Sequence, residues 1–234
     1  MNAWRETELK IGLPDERAWR WVESRLSLAG IAAQDNYFFD TRDRSLRAAH
    51  IGLRIRREGD IVRLTAKGPS ASTTDLSITR RVELERASSE PELAAALTAG
   101  VDLTSTVASW RATAPEDPKG SAAVAEFLNT LEAAGPRFHS TGEFQNERRT
   151  GRLDLINEQG PCPITIELDR TRYPGGREDF EIEVEAAAGE EADLPRIRDA
   201  LLTWLEGEGR IQTFNAESKL ARLEAILETR EPMR

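Results

Sequence analysis

Residues 6–10 read Glu-Thr-Glu-Leu-Lys, and this short stretch introduces a pattern that recurs along the chain. Alternate side chains of a β-strand point to the same face, so Glu6, Glu8 and Lys10 would form one row. Two carboxylates beside an ammonium suit a divalent metal ion together with a phosphate group. The same spacing also occurs on ordinary solvated strands, so its weight depends on the other strands.

The bulk composition is that of a globular chain with many charges. Of its 234 residues, 39% are hydrophobic and 31% are charged, and the formal net charge is −9. This length allows one large domain or two small ones. The acidic balance argues against nucleic acid as a partner, because phosphate backbones favour basic surfaces. A small anionic ligand held by a local basic cluster remains compatible with it.

Residue counts exclude several kinds of site. The single cysteine, Cys162, excludes a disulfide within the chain and a cysteine-rich zinc site. His50 and His139 lie far apart in sequence, which disfavours a histidine metal site or a serine–histidine triad. The sequence contains no run of about 18 apolar residues, so no membrane helix is predicted. Residues 1–5 lack the apolar core of a signal peptide. We therefore expect a cytoplasmic enzyme or binding protein without a membrane partner.

Lysine is rare in this chain, and its positions are informative. Four of the 32 basic residues are lysines: Lys10, Lys67, Lys119 and Lys219. Arginine is a planar fork and lysine a compact point charge, so the two differ at a phosphate. The remaining lysines are therefore candidates for positions where arginine does not substitute.

Hydrophobic periodicity predicts an α+β chain. Strands are expected at 4–12, 34–41, 50–58, 60–68, 76–86, 138–157, 163–172 and 179–187. Helices are expected at 15–29, 90–99, 121–134, 193–206 and 216–229, and residues 104–120 resemble a surface loop. Two domains divided at that loop are one interpretation. We prefer a single domain over residues 1–234 with one antiparallel barrel, because each half has too few strands to bury both faces.

The predicted strands carry charges at every second position. The rows are Arg54/Arg56, Arg63/Thr65/Lys67, Arg81/Glu83/Glu85, Arg148/Thr150/Arg152, Glu167/Asp169 and Glu181/Glu183/Glu185. A sheet with one solvent-exposed face explains any single row of charged residues. For the whole set, a barrel lumen is the better interpretation, because glutamates at the alternate positions 181, 183 and 185 repel unless cations lie between them. Such a lumen would suit a polyphosphate with Mg²⁺ or Mn²⁺.

These residues resemble the CYTH superfamily, the triphosphate tunnel metalloenzymes. The resemblance rests on motifs in a common order: Glu6-x-Glu8-x-Lys10, the 37–41 strand, Leu53-Arg54-Ile55-Arg56, Lys67, Arg81-x-Glu83-x-Glu85, Arg148, Glu167-Leu168-Asp169, Phe180 to Glu185, and Ser218-Lys219. It covers about residues 4–224. It implies an eight-stranded antiparallel β-barrel with helices packed outside, and metal-dependent hydrolysis or cyclisation of a triphosphate.

The resemblance also implies a role for each motif residue. The metal ligands would be Glu6, Glu8, Asp169, Glu181, Glu183 and Glu185. The phosphate-binding residues would be Lys10, Arg54, Arg56, Lys67, Arg148 and Lys219. Catalysis would involve Lys10, Glu83, Glu85 and Lys219, with the two glutamates tuning basic residues or holding a second metal. We choose Arg148 over Arg149 for the inner face by its parity with Thr150 and Arg152.

The expected activity is hydrolysis of inorganic tripolyphosphate to pyrophosphate and phosphate. Thiamine triphosphate, a nucleoside triphosphate, or ATP cyclised as in class IV adenylate cyclases are alternative substrates, since charged rows recognise only the phosphates. A polyphosphate-binding module without catalysis is a further alternative. It would need the basic residues but not Glu6, Glu8, Glu181 and Glu183. The presence of all four favours an enzyme, and the oligomeric state is open.

Overall fold

Ten β-strands and seven α-helices make up the part of the chain that the computed structural model describes, residues 6–70, 77–112, 118–157, 160–187, 189–214 and 217–229. The strands are β1 Glu6–Leu13, β2 Ser27–Asp40, β3 Gly52–Glu58, β4 Ile61–Lys67, β5 Ile78–Arg81, β6 Glu83–Ser88, β7 Val101–Asp102, β8 Arg137–Asn157, β9 Gly160–Arg172 and β10 Glu178–Glu185. The helices are α1 Glu16–Glu23, α2 Ser45–Ala48, α3 Glu90–Ala99, α4 Thr104–Ala112, α5 Pro118–Ala134, α6 Leu194–Gly207 and α7 Lys219–Glu228.

The predicted helix over 15–29 is wrong in its second half. Helix α1 begins after Asp15, whose carboxylate accepts a hydrogen bond from the Ala18 amide at 2.8 Å, and it ends at Glu23. The following residues 27–33 belong to the exposed start of β2. Their run of small and apolar residues lacks the polar alternation that would have indicated a strand.

The predicted surface loop over 104–120 is also wrong. Residues 104–112 form α4 and α5 begins at Pro118, while residues 113–117 lie outside the described residues. The side chains of Val107 and Trp110, three positions apart, are both buried on one side of α4. This spacing is the helical signal that the polar composition of the segment obscured.

Contacts between residues divide the chain into two compact units that interleave in sequence. Unit 1 comprises Met1–Glu6, Asp35–Ala71 and Arg81–Glu143. Within it β4 lies between β3 and β6, and both pairings are antiparallel, with Arg54 opposite Thr65 and Lys67 opposite Glu83. The alternate residues Leu53, Ile55, Leu64 and Leu84 are buried in a core with Trp110, Leu128 and Phe138.

Unit 2 comprises Thr7–Gln34, Ser72–Arg80 and Phe144–Arg234. Here the antiparallel order is β1, β10, β9, β8. One face of these strands carries the buried apolar residues Leu9, Ile11, Ile166, Leu168, Ile182 and Val184, which pack with Trp19 of α1 and Leu201 and Leu205 of α6. Period-2 alternation therefore leaves the charged residues of β1, β8, β9 and β10 on the other face.

The predicted α+β class, with an antiparallel sheet and packed helices, is confirmed. The pairing order begins at β5 and ends at β6, and no ladder within the described ranges joins these two strands, so pairing does not close the sheet. The single strand expected over 76–86 is divided at Val82, whose carbonyl accepts a hydrogen bond from the Gly68 amide at 2.8 Å. The organisation as one domain remains a prediction.

Candidate active site

Strand register in unit 2 brings the charged residues of four strands together. On β9 and β10, Asp169 lies opposite Glu181, and Glu167 lies opposite Glu183. From the neighbouring strands, Lys10 of β1 lies opposite Glu183, and Arg148 of β8 lies opposite Asp169. Residues that are remote in sequence therefore share one face of the sheet because each strand keeps the same alternation.

Three carboxylates of this face form a buried acidic group. Oxygens of Asp169, Glu181 and Glu183 lie within 4.8 Å of one another, and these residues are only 0%, 1% and 6% exposed. Buried carboxylates in such proximity require positive charge between them. We call these three residues the carboxylate group.

The Lys219 side chain of α7 supplies part of that charge. Its Nζ lies 2.8 Å from Asp169 Oδ2 and 3.0 Å from Glu183 Oε1, and it also contacts Glu181 Oε1. The side chain of Ser218 caps α7 by accepting a hydrogen bond from the Ala221 amide at 3.1 Å, which fixes the start of the helix next to Lys219. Burial would lower the pKa of Lys219, but the three carboxylates outweigh burial and raise it.

Arg148 binds the same carboxylates from β8. Its Nε donates to Asp169 Oδ1 at 2.8 Å, one terminal nitrogen donates to Asp169 Oδ2 at 2.6 Å and to Glu183, and the other contacts Glu167. Burial opposes ionisation of Asp169, yet Arg148 and Lys219 together hold the pKa of Asp169 at about 2. For Glu183, burial likewise opposes ionisation, and Lys10, Lys219 and Arg148 lower its pKa below the usual value.

The alternation of side chains along β8 places Arg148 and Arg149 on opposite faces of the strand. The guanidinium of Arg149 lies on the opposite face, where it contacts Glu23 and Glu147 and lies 4.6 Å from the centre of the Trp19 ring. The structure thus places Arg148, and not Arg149, against the carboxylate group.

Lys10 and Glu8 extend the charged face onto β1. Lys10 Nζ lies 3.0 Å from Glu8 Oε1 and 3.1 Å from Glu183 Oε1. Thr79 donates its hydroxyl to Glu8 Oε1 at 3.1 Å. Glu8 is therefore linked to the carboxylate group through Lys10 rather than included in it.

Glu167 and Glu185 lie at the edge of this arrangement. Burial raises the pKa of Glu167 to about 7, an effect that Glu183, Asp169 and Glu185 increase and that Arg148 opposes. Glu185 itself is exposed and lies opposite Glu8 in the β1–β10 register.

Unit 1 holds a second charged cluster, built around Glu6. Its two carboxylate oxygens accept from Lys67 Nζ at 2.6 Å and from Arg81 Nε at 2.7 Å, and Lys67 also lies 2.9 Å from Glu83. Burial, followed by the charge of Arg81, lowers the pKa of Lys67. Burial would raise the pKa of Glu83, but Lys67 and Arg54 lower it below its usual value.

The other residues predicted for a role in unit 1 have separate partners. Arg56 Nε donates to Asn36 Oδ1 at 2.9 Å. Glu85 accepts from Arg63 at 2.7 Å and from the Thr65 hydroxyl at 3.2 Å. Glu85 therefore pairs with an arginine whose side chain is 45% exposed, which is the geometry of a surface ion pair.

Sequence reasoning missed one buried basic residue next to the carboxylate group. Arg222 of α7 is 7% exposed, contacts Glu181, and lies 3.1 Å from Asp179 Oδ2. Its position three residues after Lys219 puts both on one face of α7, and this spacing was the available signal.

The donor set of unit 2 fits a divalent metal ion. Carboxylate oxygens are the ligands that Mg²⁺ and Mn²⁺ prefer. Glu181 Oε1 is buried and, among the residues described here, receives no well-aligned hydrogen bond despite its contact with Lys219. The charged side chains around it comprise six carboxylates and five cations: Glu8, Glu167, Asp169, Asp179, Glu181, Glu183, Lys10, Arg148, Arg177, Lys219 and Arg222. The carboxylates outnumber the cations by one, which favours a further cation.

One family model matches most of the chain. The model of the CYTH domain family matches residues 5–220. A search of curated proteins finds no match. No helix in the described ranges is long and apolar enough to cross a membrane.

Solved structures with the same fold cover nearly the whole chain. HpAC1 from Hippeastrum, a candidate adenylyl cyclase with a dominant triphosphatase activity, has a TM-score of 0.68 at 22% identity, covering 94% of this chain and 95% of that chain. A candidate adenylate cyclase from Bacillus halodurans has a TM-score of 0.57 at 23% identity, covering 94% and 98%. The PH1819 protein of Pyrococcus horikoshii has a TM-score of 0.53 at 20% identity, covering 96% and 99%. At these identities the likeness shows the fold alone.

Proposed function

The chain belongs to the CYTH domain family, and on that premise we propose that it hydrolyses inorganic tripolyphosphate to pyrophosphate and phosphate with Mg²⁺ or Mn²⁺. One observation carries the proposal. The buried carboxylates of Asp169, Glu181 and Glu183 lie within 4.8 Å of one another and are contacted by cationic side chains from β1, β8 and α7. A cation-binding group next to phosphate-binding groups is what metal-dependent phosphoryl transfer requires.

The carboxylate group would hold the metal, with Glu8 close by. When bound, the ion supplies Lewis-acid polarisation of phosphoryl oxygens. The remaining contributions come from the side chains. Lys10, Arg148 and Lys219 bind phosphate oxygens and offset the charge that develops on the leaving pyrophosphate. Because these cations are held by buried carboxylates, they are oriented before the substrate binds.

The reaction needs no nucleophile from the protein. The oxygen of water forms a bond to the terminal phosphorus, and the bond from that phosphorus to its bridging oxygen breaks. The bridging oxygen leaves with pyrophosphate, and a carboxylate of the acidic face accepts a proton from the attacking water. Glu83 and Glu85 act in unit 1 by orienting Lys67 and Arg63.

Inorganic tripolyphosphate presents only phosphate oxygens to these groups. The ammonium and guanidinium groups of Lys10, Arg148 and Lys219 recognise phosphate oxygens and do not discriminate a nucleoside or thiamine moiety. A substrate with an organic end would require additional contacts to that end. Inorganic tripolyphosphate therefore needs no protein contacts other than those to its phosphate oxygens.

Product release from the purified protein tests the proposal. Tripolyphosphate, ATP and thiamine triphosphate are supplied separately with Mg²⁺, Mn²⁺ or EDTA, and phosphate, pyrophosphate and cyclic AMP are quantified. Metal-dependent release that prefers tripolyphosphate supports the proposal. Preference for an organic triphosphate, or cyclic AMP from ATP, would replace the substrate or reaction. Tight tripolyphosphate binding without any product would indicate a binding module.

A further inference from the structure

Arg222 lies directly behind one member of the carboxylate group. It is 7% exposed, although an arginine side chain normally reaches solvent. One terminal nitrogen contacts Glu181 Oε2, and the other lies 3.1 Å from Asp179 Oδ2. The guanidinium thus bridges two alternate residues of β10 from α7.

The two oxygens of Glu181 have different surroundings. Oε2 is held by Arg222, whereas Oε1 is turned toward Lys219. A carboxylate that is held through one oxygen has its other oxygen fixed in direction, because the group is planar and the held oxygen restricts its rotation. Arg222 therefore determines where Glu181 Oε1 points.

We propose that Arg222 is a positioning residue that holds Glu181 in the orientation required for binding a divalent cation. The inference rests on the metal site of the proposed function and deepens it. Groups that hydrogen-bond to a metal ligand from behind orient it, and their loss weakens metal binding. Arg222 would not contact the metal or the substrate.

Because Arg222 is positively charged, the direction in which metal affinity changes when Arg222 is removed tests this inference. A guanidinium beside a cation site opposes metal binding electrostatically, so a role through charge alone predicts tighter binding when Arg222 is removed. A positioning role predicts weaker binding, because Glu181 is free to rotate. A role only in anchoring α7 predicts unchanged metal affinity.

Calorimetric titration with Mn²⁺ alone separates these cases. We expect Arg222→Gln to weaken Mn²⁺ binding by about 10- to 100-fold relative to the unaltered protein. Arg222→Lys keeps the charge but replaces the planar two-nitrogen fork with a single ammonium on a shorter side chain, so it should restore binding only in part. Tighter or unchanged binding in Arg222→Gln would overturn the inference.

Two further variants serve as controls. Asp179→Glu keeps the negative charge but displaces the second anchor of Arg222, so a smaller loss in the same direction is expected even if Arg222→Gln does not fold. Equal affinity in Asp179→Glu would then overturn the inference. Arg152→Met removes an exposed arginine that pairs with Asp154, and its Mn²⁺ affinity should equal that of the unaltered protein.

The titration also separates this inference from the proposed function. Weaker Mn²⁺ binding in Arg222→Gln, in a protein that hydrolyses no triphosphate, would support the positioning role and reject the hydrolase. Absence of Mn²⁺ binding in the unaltered protein would overturn the positioning role, whatever products are released.

Discussion

The ammonium of Lys219 lies 2.8 Å from Asp169 Oδ2. The same ammonium contacts Glu181 and lies 3.0 Å from Glu183, so it touches every member of the carboxylate group. The carboxylates raise the pKa of Lys219 against the effect of burial, which keeps this side chain charged at neutral pH. Lys219 thus neutralises the carboxylates that a divalent cation would also need.

Replacement of Lys219 by methionine should strengthen metal binding while abolishing turnover. The substitution removes a cation that competes for Asp169, Glu181 and Glu183, and we expect Mn²⁺ affinity to rise on the order of tenfold, which corresponds to about 1.4 kcal/mol. Calorimetry measures the affinity, and phosphate release measures the turnover. Arg152→Met is the matched control, and weaker Mn²⁺ binding in Lys219→Met would contradict the competition.

Replacement of Glu183 by glutamine should remove most of the activity. Glutamine keeps the shape of the side chain but loses the charge that pairs with Lys10, Arg148 and Lys219. We expect the turnover number with tripolyphosphate to fall about 100-fold or more, the scale for losing one preorganised electrostatic group. Glu206→Gln, on the exposed face of α6, should retain full activity. Full activity in Glu183→Gln would remove Glu183 from the metal site.

Metal binding should stabilise the folded chain. Ions that bind only the folded state add about 2.7 kcal/mol to the free energy of unfolding at a concentration 100 times the dissociation constant. Thermal unfolding with added Mn²⁺ should therefore show a higher midpoint than with EDTA. Glu183→Gln should lose most of this shift, and an equal shift in that variant would place the stabilising ion elsewhere.

Much of the charged face could be predicted from the sequence because strands impose a strict period of two. Glu181 and Glu183 alternate with Ile182 and Val184, and the structure buries the apolar set in the core. Parity alone selected Arg148, and not Arg149, for the charged face, where its Nε donates to Asp169 Oδ1. Which residues of different strands meet depends on register, which one sequence does not specify.

Other features could not be predicted from local patterns. Arg222 and Glu181 are 41 positions apart, and their contact depends on how α7 packs against β10. Residues 27–29 at the start of β2 were predicted as helix because small and apolar residues suit either structure. Helix α4 was predicted as a loop because polar and small residues surround its two large apolar side chains.

The assignment of residues 104–112 as a helix can be tested through Trp110. Trp110 is 1% exposed and packs in the core of unit 1 with Val107 on the same side of α4. Trp110→Ala should lower the free energy of unfolding by about 3–5 kcal/mol, as large-to-small core changes do. Urea unfolding measures this loss. Ser105→Ala, at an exposed position of α4, should change stability by less than about 0.5 kcal/mol.

The Lys67 cluster gives a prediction for substrate binding by unit 1. Lys67 Nζ lies between Glu6 and Glu83, and Arg81 gives Glu6 a second partner. As a phosphate-binding residue, Lys67 should contribute mainly to affinity, so Lys67→Met should raise KM for tripolyphosphate about tenfold with a smaller change in kcat. Lys67→Arg should not restore KM, because a planar fork cannot reproduce a compact ammonium between two carboxylates. Steady-state kinetics of both variants measures the effect.

Arg111→Met, which removes an exposed cation paired with Glu132 in the same unit, is the control and should retain the original KM. Unchanged KM in Lys67→Met would exclude Lys67 from phosphate binding and leave it as a structural partner of Glu6 and Glu83.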